Sequence, residues 1–337
     1  MKNRIERKSS ARKIGPVVIC LALFAAVSLA LQVAYCAEPS VSTLKTRDDG
    51  MLRTLVVTDL HFYIHSGMSN PESVDTLKKL TKKFKPDLIV STGDMWHENP
   101  AGQGYNFLKW ACKQFAKLGT PWAFAWGNHD KADDYGKAHA LLERAPNSLY
   151  RGAANDGNYR LEILNGKTGK PVWNFFMLND SRGGMREEQL EWFKSEVKKI
   201  KSENPNPPPA FVFFHIPIRE YGDFDAAESV AGVQYEGICH EDGVGNALET
   251  FMASGMVKAT FCGHDHVNDY RLNIGGMKLV YARATGAGGY GGDKVKKGAT
   301  LVTIDTTSGS YMLDTVFSDG SDWQPDDFQR NLDGGNN

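Results

Sequence analysis

Cysteine is scarce in this sequence, and the spacing of the few cysteines argues against two kinds of stabilisation. Five cysteines occur in 337 residues, and none forms the closely spaced pairs that are typical of a structural zinc site. Beyond the N-terminal segment only Cys112, Cys239 and Cys262 remain, so at most one internal disulfide is possible, with one thiol left over. Neither structural zinc nor a disulfide framework is therefore expected to hold the fold.

An excess of charge of either sign is also absent. The sequence contains 39 Lys and Arg residues against 40 Asp and Glu residues. Without residues 1–37 the balance becomes 33 to 39, which is mildly acidic. A chain of this charge has no general electrostatic attraction to nucleic acid or to an anionic membrane. We therefore expect no nucleic-acid-binding surface, and membrane contact only through the N-terminal segment if it remains uncleaved.

The N-terminal segment, residues 1–37, has the order of a secretory signal. Six basic residues precede an apolar run from Val17 to Val33, and small residues around Cys36 follow it. The run approaches the ~20 residues that span a bilayer, so an uncleaved anchor with the rest of the chain outside is the second interpretation. Lipidation of Cys36 ranks third because Tyr35 is bulky. We expect an exported protein that is periplasmic, extracellular or anchored facing outward.

Internal repeats are missing from this sequence. From residue 52 onward, short apolar runs alternate with helical patterns. This alternation predicts crossover units and a sheet that is covered on both faces. The predicted strands of the first half are 52–58, 87–91 and 122–126, and the predicted helices are 71–84 and 105–118. We expect one domain over residues 50–318 and a flexible tail over residues 319–337.

The second half of the chain is less regular. Residues 158–164 and 172–178 are predicted to form a strand pair, and residues 186–201 a charged amphipathic helix. The proline-rich run 204–209 is typical of a domain linker or of a stiff surface connection. We favour the connection, because the apolar strand 210–214 follows it at once.

Five predicted strands each end in a polar cluster. They are 52–58, 87–91, 122–126, 210–214 and 259–262. The clusters are Asp59-Leu60-His61, Gly93-Asp94, Gly127-Asn128-His129-Asp130, His215 and Gly263-His264-Asp265-His266. Ligands of open α/β sheets bind in the crevice beyond the carboxyl ends of the strands. Scattered capping aspartates and core histidines would explain a single cluster, but five such clusters in order predict one common site.

The chemistry of these side chains points to metal ions. Mixed oxygen and imidazole ligands suit manganese, iron or zinc, and there are enough of them for two ions. A carboxylate such as Asp94 can bridge two ions that lie ~3.5–4 Å apart. Asp59 and His61 are two apart on a segment expected to be extended, so their side chains should share a face. The glycines beside Asp94, Asn128 and His264 should let the backbone bend closely around the ions.

As an ordered set, these motifs resemble those of the calcineurin-like metallophosphoesterases. The resemblance implies a mixed α/β fold, a two-sheet β-sandwich flanked by helices, with the metals at the strand ends. It also implies a division of the ligands between the two metals. Asp59, His61 and His266 would hold one ion, Asn128, His215 and His264 the other, and Asp94 would bridge them.

Further motifs are similar to one branch of that family. The segments 236–239, 263–269 and the glycine-rich 286–292 look like those of plant purple-acid-phosphatase-like proteins and fungal Dcr2-type phosphatases. Purple acid phosphatases carry a tyrosine three residues after the bridging aspartate, and this chain has His97 there. Without that phenolate we expect no purple charge-transfer colour.

The expected reaction is hydrolysis of a phosphoester. Two cations lower the pKa of a bridging water and supply hydroxide, which attacks phosphorus in line with the leaving oxygen. His129, which adjoins a ligand, is the candidate to protonate the leaving group, oriented by Asp130 or another carboxylate. A phosphomonoesterase acting on a phosphorylated small molecule or protein is the first hypothesis. A phosphodiesterase with the same site is the alternative, and a metal-binding protein without catalysis is the third.

Several polar residues near the motifs are assigned more weakly. His97 is expected to orient a neighbouring side chain or to touch a metal or substrate. Arg219 and Tyr221 either grip phosphate and leaving group or belong to an ordinary loop. His65 is expected to line the entrance or a solvated loop. We place His139 on a surface helix.

Overall fold

A computed structural model describes residues 41–63 and 69–332. The predicted signal or anchor segment 1–37 and His65 lie outside the described residues, as do residues 333–337. Within the described ranges, no helix is long and apolar enough to cross a membrane.

The helices and strands follow one another along a single compact unit that begins at Val41. The helices are α1 (Ser69–Phe84), α2 (Gly104–Leu118), α3 (Tyr135–Arg144), α4 (Glu187–Glu203) and α5 (Ala247–Ala253). The strands are β1 (Ser42–Lys45), β2 (Met51–Val57), β3 (Leu88–Ser91), β4 (Trp122–Phe124), β5 (Tyr159–Leu164), β6 (Pro171–Met177), β7 (Ala210–Phe213), β8 (Ser229–Gln234), β9 (Val257–Cys262), β10 (Asn268–Ile274), β11 (Met277–Tyr281), β12 (Ala299–Asp305), β13 (Ser310–Val316), β14 (Asp322–Trp323) and β15 (Phe328–Arg330).

The strands form two sheets. One has nine strands in the order β1-β5-β6-β7-β9-β11-β10-β8-β15, and the other has six in the order β14-β13-β12-β2-β3-β4. Strands β2, β3 and β4 are parallel neighbours in the six-stranded sheet, and β7 and β9 are parallel neighbours in the nine-stranded sheet. The five strands that end in polar clusters therefore divide three and two between the sheets.

Apolar side chains fill the space between the sheets and cover their outer faces. Leu55 and Phe124 of one sheet and Phe211 of the other belong to one buried cluster, which also takes in Leu77 of α1 and Phe115 of α2. A second cluster packs the other face of the nine-stranded sheet against α4 and α5. The helices thus lie outside the sandwich, as the sequence predicts, and the polar strand ends remain at its edge.

Local sequence explains where the helices begin and end. Gly119 ends α2 in the left-handed conformation, φ 74°, which a residue without a side chain adopts at little cost. Asp134 precedes α3 and accepts a hydrogen bond from the backbone N–H of Lys137, which satisfies one of the free donors of the first turn. The proline-rich run 204–209 joins α4 to β7 within the same unit, so it is a connection and not a domain linker.

Two expectations differ from the structure. The polar tail contains paired strands, because β14 adds to β13 and β15 adds to β8, so residues 322–323 and 328–330 belong to the sheets. His139 lies on a helix but is buried, where its Nδ1 is 2.6 Å from the hydroxyl of Tyr150. A hydrogen-bonding partner inside the protein offsets the cost of burying this polar ring.

Candidate metal centre

The turns that follow the strands hold strained backbone at the candidate ligands. Asp59, His61, Asp94 and His264 have φ angles of 53°, 45°, 49° and 80°, in the left-handed region that side chains disfavour. Each such residue costs on the order of 1–3 kcal/mol and persists only where the surroundings impose it. The prediction of an extended Asp59–His61 segment is therefore wrong, since both residues turn within it.

Glycines let these turns approach one another, as predicted. A Cβ atom on Gly127 would lie 2.2 Å from Oδ1 of Asp94, and one on Gly263 would lie 2.0 Å from Oγ1 of Thr58. Both distances are far inside van der Waals contact. Any side chain at these two positions would push the strand ends apart, so the arrangement requires glycine there.

The first candidate ligand cluster consists of Asp59, His61 and His266. Nε2 of His266 lies 3.3 Å from Oδ1 of Asp59 and 3.1 Å from Nε2 of His61. All three side chains are nearly inaccessible to solvent. One carboxylate oxygen and two imidazole nitrogens therefore converge on a single point.

The second cluster consists of Asp94, His215 and His264. Nε2 of His215 lies 3.2 Å from Oδ2 of Asp94 and 3.3 Å from Nδ1 of His264. Asn128 follows Gly127, which packs against Asp94, and its Oδ1 is buried without a hydrogen-bonding partner among the described residues. A buried amide oxygen of this kind is costly unless it binds a cation or a donor. The amide therefore fits a ligand of the second cluster.

Asp94 joins the two clusters. Its Oδ2 lies 3.2 Å from Nε2 of His215 and 3.5 Å from Nε2 of His61, while its Oδ1 accepts a hydrogen bond from the backbone N–H of His129. Contact with a ligand histidine on each side is the position that a bridging carboxylate requires.

The electrostatics of the centre fit bound cations. Burial lowers the pKa of His61 to about 3 and that of His264 to about 4, so both rings are neutral and have a lone pair to share. Burial also lowers the pKa of His215, but the charge and hydrogen bond of Asp94, together with the charges of Asp59 and Asp180, raise the pKa to about 10. The buried carboxylates thus call for positive charge between them, which metal ions supply.

Backbone and side-chain groups behind the ligands set their orientation. Nδ1 of His215 donates to the carbonyl oxygen of Thr92 over 2.9 Å, which leaves Nε2 facing Asp94. Nδ1 of His61 lies 3.1 Å from Nδ1 of His97, so His97 contacts a ligand, as one of its predicted roles requires.

Asp180, which the sequence analysis missed, accepts hydrogen bonds from the backbone N–H groups of His215 and Ile216. Burial raises the pKa of Asp180 to about 7.

His129 lies beside the clusters and is partly open to solvent. Its ring stacks on that of His97 at 5.0 Å between centroids and 13° between planes. Nδ1 of His129 lies 2.8 Å from Oε1 of Glu98, although not in hydrogen-bonding geometry, and Nζ of Lys131 lies 2.8 Å from Oε2 of the same carboxylate. The carboxylate next to His129 is therefore Glu98.

Asp130 does not contact the ring of His129, so of the two predicted alternatives, Asp130 or another carboxylate, the structure fits the second. Its side chain is buried and accepts hydrogen bonds from the backbone N–H groups of Trp96 and Gly127 at 3.0 and 2.8 Å. Asp130 therefore ties the turn after β4 to the loop after β3. The glutamate that contacts His129 was overlooked because it lies on that other loop.

The contact between Glu98 and His129 leads to a testable prediction. We expect Glu98→Gln to lower kcat about tenfold, because the imidazole loses the carboxylate that steadies it, while KM changes little. Steady-state kinetics on nitrophenyl phosphate measures both constants. An unchanged kcat would show that Glu98 only pairs with Lys131, and Lys131→Met serves as the control for that pairing.

One predicted role for Tyr221 and Arg219 was contact with the phosphate and leaving group, but the structure places neither residue at the centre. Tyr221 is fully buried, and its hydroxyl lies 2.9 Å from Oγ1 of Thr260 and donates to the carbonyl oxygen of Val280. Arg219 is exposed and does not line the cavities at the centre. Both residues lie in a short 3-10 helix, Arg219–Gly222, away from the ligand clusters. Cys112, Cys239 and Cys262 are all free thiols, with only Cys239 exposed.

Two adjoining cavities open from the ligand clusters. One, of about 460 Å³, is lined by ligands of both clusters and by His129, Glu236, Cys239 and Tyr290. The other, of about 780 Å³, extends past His97 toward Tyr63, Glu98, Pro100 and Lys131. His61, His97 and Gly288 line both cavities. The two cavities thus leave room beside the ligand clusters for a large substrate.

The model of the calcineurin-like phosphoesterase family matches residues 52–268, which include every candidate metal ligand. This chain belongs to the calcineurin-like phosphoesterase family. The match supports a metal-dependent phosphoester hydrolase and confirms the resemblance seen in the motifs.

Individual relatives agree with this membership. The chain is 26% identical to "Probable inactive purple acid phosphatase 29" of Arabidopsis thaliana, over 80% of this chain and 82% of that protein. It is 25% identical to "Phosphatase DCR2" of Saccharomyces cerevisiae, over 70% of this chain but only 47% of that protein. A dimetal phosphatase from Danio rerio superposes with a TM-score of 0.54 at 13% identity, over 79% of this chain and 95% of that one. The superposition confirms the predicted fold.

Proposed function

We propose that this protein is a dinuclear metal-dependent phosphomonoesterase. The observation that carries the proposal is Asp94, whose carboxylate contacts a ligand histidine of each cluster and so fits a bridge between two metal ions. Family membership supports the phosphoester class of substrate.

In this proposal the ligands divide as the clusters do. Asp59, His61 and His266 hold one ion, and His215, His264 and Asn128 hold the other, with Asp94 shared. The donors are oxygen and imidazole nitrogen, a set that suits manganese, iron or zinc. When bound, two such ions activate water and neutralise charge on the phosphoryl oxygens.

The other side chains of the centre have separate tasks. His129 is open to the cavity at the edge of the ligand clusters, where it can give a proton to the leaving oxygen. Glu98 is the carboxylate beside its ring, with Oε1 at 2.8 Å from Nδ1. His97 stacks on His129 and contacts His61, so it links the proton donor to a metal ligand.

A catalytically silent metal-binding protein is the rival from another class. The names of Arabidopsis relatives include the word "inactive", which gives this rival some weight. Against it stand the complete ligand set and the carboxylate-paired histidine of this chain. A phosphodiesterase with the same centre is the rival among enzymes, and the large adjoining cavity has room for a second ester group.

Hydrolysis rates distinguish these functions. Purified protein loaded with Mn²⁺ should hydrolyse nitrophenyl phosphate at least about tenfold faster, by kcat/KM, than bis-nitrophenyl phosphate. The reverse preference would establish the phosphodiesterase. No hydrolysis of either compound by protein that holds two ions per chain would favour the silent metal-binding protein.

We further propose that the protein is exported, periplasmic, extracellular or anchored facing outward, because the first 37 residues have the order of a secretory signal. Its substrate would be a phosphorylated small molecule or protein. The mild negative charge of the mature chain gives no support to nucleic-acid binding.

A further inference from the structure

His266 differs from the other ligand histidines in how its ring is held. His215 is oriented by the carbonyl oxygen of Thr92, and His61 by the ring of His97. Nδ1 of His266, in contrast, is buried without a hydrogen-bonding partner among the described residues. Ligand histidines usually gain their orientation from a bond at the second ring nitrogen. Some other contact must fix the ring of His266.

That contact is the ring of Tyr290. The two rings stack at 4.1 Å between centroids and 14° between planes, closer and flatter than the contacts that His61 makes with its neighbouring histidines. Tyr290 itself is 54% exposed, so one face of its ring is open while the other covers His266. A large aromatic side chain that is mostly exposed gains little from burial, and its position therefore calls for another explanation.

Hydrogen bonds fix Tyr290 over His266. Its hydroxyl donates to the carboxylate of Glu236, with both oxygens at 2.9 Å, and accepts from the backbone N–H of His266 at 3.3 Å. Glu236 also accepts from the backbone N–H of Val267 at 3.0 Å. Nζ of Lys297 donates to the carbonyl oxygen of Tyr290 at 2.6 Å. The tyrosine is thus tied at its hydroxyl and at its backbone.

The glycine next to Tyr290 brings the loop against the same ring. A Cβ atom on Gly289 would lie 2.3 Å from Cε1 and 2.4 Å from Nδ1 of His266. The backbone at Gly289 therefore packs too closely against the imidazole for any side chain at this position. Glu236 and the glycine-rich loop are far apart in the sequence, and they meet over His266.

We propose that Tyr290 is a positioning residue that holds His266 in place for the metal ion of the Asp59 cluster, with Glu236 fixing the tyrosine. The inference rests on the proposed two-metal centre. Stacking, and not the hydroxyl, is the contact that orients the imidazole, so a flat ring at position 290 is what the centre requires. The hydrogen bond between the hydroxyl and Glu236 only helps to hold that ring over His266.

Metal affinity tests this proposal without reference to turnover. Metal-free protein is titrated with Mn²⁺ and binding is followed by calorimetry, for the wild type, Tyr290→Ala, Tyr290→Leu and Tyr290→Phe. We expect the alanine and leucine variants to weaken one of two sites about 10- to 100-fold, as loss of an orienting partner does. Tyr290→Phe keeps the ring and should remain within about threefold of the wild type.

The controls separate the possible failures. Tyr135→Ala removes another exposed tyrosine, one that lies outside the cavities, and should leave both sites intact. Two unchanged sites in Tyr290→Ala or Tyr290→Leu, or equal weakening in Tyr290→Phe, would overturn the proposal. Tyr290→Leu decides the question if the alanine variant does not fold. A wild type that fails to bind two ions would instead refute the proposed function.

Discussion

Replacing Asp94 by asparagine is expected to lower kcat/KM roughly a hundred- to a thousandfold and to reduce the metal content below two ions per chain. The carboxylate is the group that contacts ligand histidines of both clusters, and an amide offers one neutral oxygen in place of two charged ones. Loss of this preorganised charge also removes stabilisation of the transition state. Steady-state kinetics and elemental analysis measure the two effects together.

Asp75→Asn provides a matched control for that substitution. Asp75 lies exposed on α1, where it pairs with the equally exposed Lys79. The control should retain activity and two ions. Full activity of the Asp94→Asn variant with two ions bound would show that this carboxylate does not bridge them.

His129→Ala is expected to lower kcat roughly 10²- to 10⁴-fold, the usual contribution of a positioned acid, while the metal content stays at two ions. The side chain contacts Glu98 and stacks on His97, but it belongs to neither of the two clusters that Asp94 joins. The loss should shrink for a substrate with a leaving group of low pKa, which needs no proton. Rates on phenyl phosphate and nitrophenyl phosphate measure this difference.

The metal content of the same sample decides how His129 acts. Loss of an ion in His129→Ala would make the residue a ligand, because His61, His97 and His129 also lie close enough together to share an ion. His240→Ala, a substitution outside the cavity lining, should change neither the rate nor the metal content.

The strands and most of the centre could be predicted because both have local signals. An apolar run marks each buried strand, and the polar residue after it marks the strand end; the structure gives the same strands within about two residues, for example β2 at Met51–Val57. Parallel neighbours then bring the ends together, as Asp59 and Asp94 are brought together by β2 and β3. Chain order and spacing were sufficient for this part.

The partner of His129 could not be predicted because it depends on contact between two loops. The backbone N–H of Glu98 bonds the carbonyl oxygen of His129, and this pairing sets the carboxylate beside the imidazole. Asp130 is adjacent in sequence, yet it turns inward to bind backbone N–H groups. An acid four residues after Asp94 was the signal available, and adjacency to His129 was the misleading one.

The left-handed turns at Asp59 and His61 were also hidden from sequence analysis. Aspartate and histidine do not indicate a positive φ in the way that glycine does. Hydrogen bonds across the centre impose the conformation, such as that from the N–H of His61 to the carbonyl oxygen of Asp94. The burial of Tyr221 could not be predicted for a related reason. Its hydroxyl has partners on β9 and β11 and so is satisfied inside the core.

The central claim is that two metal ions share Asp94, and anomalous diffraction from crystals grown with Mn²⁺ tests it most directly. We predict two peaks of comparable height, one among Asp59, His61 and His266 and one among Asn128, His215 and His264, with the carboxylate of Asp94 between them. A single peak, or two peaks that do not flank Asp94, would contradict the account.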